Sequence, residues 1–182
     1  MKPELTAHSL ILFVLLTMAS FAAMGFDTKP VVWVDHEVNL TGRLISNVLP
    51  VADESGKQVP QIRLDEIQNS LIQELMAKGV LLKPEQKPEG DTLIAKVSLT
   101  SFKTGSAAGR WVGFGAGSAK CTVRVQLLDE HSLTVVAEVI DTRILDSGGF
   151  YTLGADDTFH KELAKELADT LAGILVPGGA KK

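Results

Sequence analysis

The stretch GRWVGFGAGSAK, Gly109 to Lys120, is the first place to look for chemistry, because glycines at 113, 115 and 117 running toward a lysine invite a phosphate-binding reading. A Walker loop closes on Gly-Lys-Ser/Thr, so that the lysine reaches the phosphates and the hydroxyl a magnesium ion. Here Ser118 and Ala119 separate Gly117 from Lys120, and Cys121 follows. The dinucleotide fingerprint fails too. The glycines here are spaced GxGxG and not GxGxxG, and the alternation that follows predicts a strand where a helix N-terminus must hold the pyrophosphate. No cofactor is expected. In an extended segment Gly113, Gly115 and Gly117 share one face and leave it without side chains, while Val112, Phe114 and Ala116 occupy the other. They are read as structural glycines that permit a bend, a bulge or a close approach. Arg110, Trp111 and Phe114 on this stretch are the candidate contact residues for a partner protein or lipid head groups.

Other chemistry finds less support. Nucleophilic hydrolysis needs a nucleophile, a base and an orienting acid. His36, His131 and His160 are isolated, no GxSxG elbow occurs, and Cys121 falls between Ala119 and Val123 on the apolar face of an alternating run, as a small core residue would. No pair of histidines has metal-ligand spacing such as HExxH, so no metal site and no catalytic residue is assigned. The triplet of Asn39, Leu40 and Thr41 matches a glycosylation acceptor but is too common a pattern to carry weight. A net charge of −4 speaks against nucleic acid as a partner.

These residues must be positioned by elements that the apolar periodicity predicts. The N-terminus carries Lys2, then the apolar core LILFVLLTM from Leu10 to Met18, then small residues from Ala19, the order of a secretory signal peptide over residues 1–25. An uncleaved anchor is the alternative, since Glu4 offsets Lys2 and Ser9 to Phe26 reaches the lower edge of a spanning length. No cysteine lies near the candidate cleavage sites, so the chain is not expected to be a lipoprotein, and a single Cys121 means no internal disulfide. The remaining 26–182 is read as one domain; roughly 155 residues can bury about two thirds of their unfolded surface without staples.

Within that domain, Pro30 to Val38 is a β-branched run, and Asn39 to Gln58 is a breaker-rich loop with a short strand near Leu44 to Val48. From Pro60 the period changes: Leu64, Ile67, Leu71 and Leu75 mark an amphipathic helix with Lys78 and Gly79 at its end. Val80 begins a short buried strand. Three long alternating runs follow, Thr92 to Phe102, Ser118 to Asp129 and Leu133 to Ile144, the last two joined by a turn at Asp129 to Ser132. A closing helix from Asp156 or Asp157 has Phe159, Leu163, Leu167, Leu171 and Ile174 on one stripe. The order strand, helix, strand, three-strand meander, helix predicts an α+β fold of two layers: a mainly antiparallel sheet with both helices on one face. The wetter sheet face, with Lys96, Lys120, Arg124, Glu138, Thr100, Thr122 and Thr142, is expected to be solvated and laced by cross-strand pairs.

The run from Arg110 to Ala119, the alternating strand closing at Asp129 and the Val136 to Glu138 segment, with Asp91 to Phe102 before them and the last helix after, resemble the bacterial envelope family known as domain of unknown function 4410. More distantly, the element order is similar to small periplasmic α/β accessory modules. The resemblance implies an exported protein, periplasmic or outer-membrane-associated, with no established enzymatic activity and no catalytic residues to transfer; relatives are often lipid-anchored, and this chain departs from them in lacking a lipobox cysteine. The expected role is a non-enzymatic module for protein contact or assembly, with an envelope protein as partner and peripheral membrane association open. The alternative is a periplasmic small-ligand or lipid-binding module.

Overall fold

The computed structural model describes residues 29–87, 90–103, 119–145 and 159–176. Among them the elements run β1 (Val31–Val34), β2 (Leu44–Val48), β3 (Ala52–Asp53), α1 (Gln61–Ala77), β4 (Thr92–Lys103), β5 (Ala119–Asp129), β6 (Val135–Leu145) and α2 (Phe159–Leu175). The sheet is open and mixed, in the order β1-β6-β5-β4-β2, with β3 also on β4. The meander β4-β5-β6 and the β1–β6 pair are antiparallel, while β2 and β3 run parallel to β4. This is the expected α+β architecture.

Alternation sets which face is buried. Leu93, Ala95, Val97 and Leu99 of β4, Cys121, Val123, Val125 and Leu127 of β5, and Ala137 and Val139 of β6 form the inner face. Both helices close over it, α1 with Leu64, Ile67, Leu71 and Leu75 and α2 with Leu163, Leu167, Leu171 and Leu175, in a single core cluster. The end of the α2 stripe is Leu175, and Ile174 is only partly buried.

The helix ends are held by backbone geometry. Gly79, at φ +70, donates to the Met76 carbonyl while Val80 N–H reaches back to Leu75 O, a Schellman closure. Lys78 sits at the cap of α1 and pairs with Asp169 of α2, so the expected cation at the helix end joins the two helices. Gly42, at φ +85, donates to Leu175 O at 2.7 Å and satisfies a terminal carbonyl of α2.

Four boundaries differ from the sequence reading. β1 stops at Val34 because Asp35 starts a turn, accepting Glu37 N–H at its own Oδ1. A two-residue β3 follows β2 inside the expected loop, and Asn39 forms a second turn by accepting Thr41 N–H. After α1 only Leu81 makes a bridge, parallel to Ile45, before a turn in which Gln86 N–H bonds Lys83 O. Leu133 belongs to the hairpin turn, with φ +55, so β6 starts at Val135. Residues 1–28, with the expected signal segment, and the start of the last helix lie outside the described residues; among the described residues no helix is long and apolar enough to cross a membrane.

Candidate functional site

β1 is the described strand whose side chains are least explained by the core. It closes one end of the sheet, pairing through Val31 with Ile140, Val32 with Val139, Trp33 with Glu138 and Val34 with Ala137. Its four residues are all apolar and all exposed, at 67%, 44%, 51% and 38% of their full surface. Their composition makes a strand, but the strand lies beyond β6, against which α2 packs, and Val32 and Val34 on its inner side stay exposed. Exposed edges of this kind are templates for pairing with another chain.

The outer face is a polar network, as its alternation implied. Gln126 Nε2 donates to Glu138 at 2.8 Å and the hydroxyls of Thr122 and Thr142 meet at 2.9 Å. Arg124 pairs with Glu54, which also accepts from Ser98 Oγ at 2.9 Å. Glu54 was not legible as part of this face. It reaches it because the backbone after β3 docks on β4, Glu54 N–H bonding Leu99 O. Lys96 and Lys120 remain exposed.

On the inner side, charge appears where β5 and β6 run past the aliphatic core. Asp141 is fully buried opposite Val123, and Arg143, opposite Cys121, donates from Nε to Asp141 Oδ2 at 3.2 Å and lies 3.3 Å from Glu166 of α2. Burial, with the Glu166 charge adding, pushes the Asp141 carboxyl up to about 6, and its Oδ1 is buried without a hydrogen-bond partner. Burial likewise pushes the Cys121 thiol up to about 12, with Asp141 adding, so it stays protonated.

The histidines sit on separate elements. His36 is in the turn after β1, His160 on α2 lies 4.0 Å from Glu66, and His131 occupies the β5–β6 turn. Asp129 organises that turn, accepting Ser132 N–H and Oγ, His131 N–H and Arg43 Nη1, contacts led by Ser132 that hold its carboxyl down at about 2. Arg43 also bonds Asp91 at 2.8 Å, beside a cleft of about 330 Å³ floored by Thr41, Leu44 and Thr92. A second cleft of similar volume runs between β2 and α1, past Asn47, Ile72 and Met76. Among the described residues no group of three or more histidine, cysteine or acidic side chains is arranged to hold a metal ion.

Arg110, Trp111 and Phe114, together with Gly113, Gly115 and Gly117, lie outside the described residues. The contact candidate that the structure does present, Trp33 with its valine neighbours, carried a visible signal: β-branched and aromatic residues with no polar alternation.

The family model described as "Domain of unknown function (DUF4410)" matches residues 35–149, more than half of the chain. The chain belongs to the DUF4410 family. No curated protein matches the DUF4410 chain. Among solved structures, the PelC dodecamer from Paraburkholderia phytofirmans is 13% identical with a TM-score of 0.50, covering 81% of this chain and 99% of that one. Protein XCC0632 from Xanthomonas campestris is 14% identical at a TM-score of 0.48, covering 77% and 90%. A minor lipoprotein from Acinetobacter baumannii is 14% identical at 0.40, covering 67% and 91%. At such identities the likeness to PelC is one of fold. In the DUF4410 match, β1 lies just before the matched span and the meander within it.

Proposed function

We propose that this DUF4410 protein is a non-catalytic contact module of the bacterial envelope, exported by its apolar N-terminal segment, and that β1 is a strand through which it engages another protein. The observation that carries this reading is the run of four exposed apolar residues, Val31 to Val34, on a sheet edge. The absence of a role in catalysis is supported by the protonated, buried Cys121 and by histidines held on separate elements. Export is supported by the order of charged lead, apolar core and small residues before Phe26. The solved PelC structure is of a dodecamer, which makes self-assembly a reasonable form for such contact.

The test is site-specific photo-crosslinking in cells, with the chain carrying its own N-terminus and a photo-reactive side chain at Trp33 or, as a control, at the exposed Ile62 of α1. Adducts of discrete mass from position 33 and none from position 62 are expected. The same diffuse products from both, or none from either, would remove β1 as a contact strand. Recovery of the chain in the periplasmic fraction, at a mass shortened by about the length of residues 1–25, checks export; a full-length membrane-bound chain would favour the anchor.

A further inference from the structure

We infer that the partner of β1 is a second copy of this chain, joined edge to edge about a two-fold axis through Val32 so that the two sheets become continuous. The inference rests on the reading of β1 as the contact strand and names what meets it.

The backbone defines which groups are on offer. Asp35 N–H donates to Val136 O, so along the antiparallel β1–β6 pair Trp33 and Val31 also turn their backbone groups toward β6. Val32 and Val34 therefore turn theirs away from β6, to the side where no described strand pairs, and so does the Pro30 carbonyl, while Pro30 has no N–H to lose. An antiparallel copy can bond these groups only if even-numbered residues face even-numbered ones. The register centred on Val32 sets Val32 against Val32 and Val34 against Pro30. Each Val32 N–H then meets the partner's Val32 C=O, and each Val34 N–H the partner's Pro30 C=O.

Side chains agree with that register. Opposed residues on one sheet side are Trp33 against Val31, an aromatic–β-branched pair formed twice, and Lys29 against Asp35, an opposite-charge pair formed twice. Both of these sit at non-hydrogen-bonded positions, where side chains come closest. Lys29 is exposed and Asp35 half-buried, so each is accessible to the other. The neighbouring register, centred on Trp33, would set Lys29 against Glu37 but would carry the pairing into the turn that Asp35 begins, where Glu37 N–H already bonds Asp35 Oδ1. The segment from Lys29 to Asp35, with Val31–Val34 as its strand, is symmetric in length about Val32, with its cation at one end and its anion at the other. An isologous two-fold contact needs such a self-complementary patch.

The test uses the full chain with its own N-terminus, expressed in the envelope and read on non-reducing gels after mild oxidation. In Val32→Cys the two thiols face each other across a hydrogen-bonded pair, whose Cα separation of about 5.5 Å lies within the disulfide range. Most of that variant is expected at doubled mass, whereas Ile62→Cys and the wild type, whose Cys121 is buried, stay single. Val32→Cys crosslinking no better than Ile62→Cys overturns the inference. Adding Lys29→Glu, which sets like charges against Asp35, should cut the crosslinked fraction, and Lys29→Arg should keep it; equal yields overturn the register. If photo-crosslinking at Trp33 gives an adduct with a different protein, the self-pairing falls while β1 stands as a contact strand. If it gives no protein adduct at all, both fall.

Discussion

At one edge of the sheet, Ile45 of β2 is fully buried, and its backbone is used on both sides: β2 pairs with β4, while Ile45 N–H bonds Val80 O and its carbonyl accepts from Leu82 N–H, each at 2.8 Å. At the other edge, β1 has a more apolar sequence and every side chain exposed. The contrast has a simple origin in width. Two helices packed side by side at about 10 Å cover about 20 Å, which is about four strand widths of 4.8 Å. The row β1-β6-β5-β4-β2, five strand widths or about 24 Å, is one strand wider than that. The chain roofs the β2 side and adds the Val80–Leu82 segment along its edge; the row's remaining strand is left for something else. Hydrophobic sequence does not imply burial here, because burial depends on where the second layer ends.

Substitutions at the two edges should separate them in stability. The largest effect should come from Ile45→Ala, which opens a cavity beneath α1 and loosens both neighbours of β2, and should lower unfolding free energy in urea by about 2–5 kcal/mol. A loss under about 1 kcal/mol would mean that this edge is not the tightly packed one.

Next is Asp141→Asn, on the strand beside the bare edge, where the inner face carries charge, whereas the buried residues Leu93, Ala95, Val97 and Leu99 of β4 are all aliphatic. A carboxyl whose folded value is raised from 3.8 to about 6 binds its proton more readily in the native state. Its contribution to stability is thus present below about 4 and lost as pH rises through about 6. Thermal unfolding across that window should show a falling slope in the wild type that the Asn variant flattens; an unchanged slope would assign the titration elsewhere.

Gly79→Ala should cost about 1 kcal/mol, from the positive φ alone, since no atom crowds the position where a Cβ would stand. Equilibrium unfolding checks it, and a neutral result would show that the Schellman turn on the covered side can relax. The smallest effect is expected from Val31→Thr on the bare edge: under about 0.5 kcal/mol at a dilution where copies are apart. A loss as large as that of Ile45→Ala would erase the distinction between the two edges.

Much of the fold could be read in advance. The stripe of Leu64, Ile67, Leu71 and Leu75, the alternation through β4 and β5, the Lys78 and Gly79 helix end and the short β2 all follow from local periodicity, which the backbone of each element imposes on its own residues. The site was less legible. The glycine-aromatic pattern points to Arg110, Trp111 and Phe114, outside the described residues, and the VVWV run signals only a first strand; its lack of alternation fits a strand buried on both faces as readily as one exposed on both.

The set of elements, the buried face of each long strand and the α+β class are written in the chain locally, because they depend on side-chain periods of two and 3.6 within single segments. The folded arrangement alone shows that β2 runs parallel to β4, that Glu54 crosses to Arg124 over the outer face, that Asp141 and Arg143 turn inward beside Cys121, and that β1 takes the exposed edge. Each of these joins residues far apart in the chain or sets one layer's width against another's, and no local pattern encodes either.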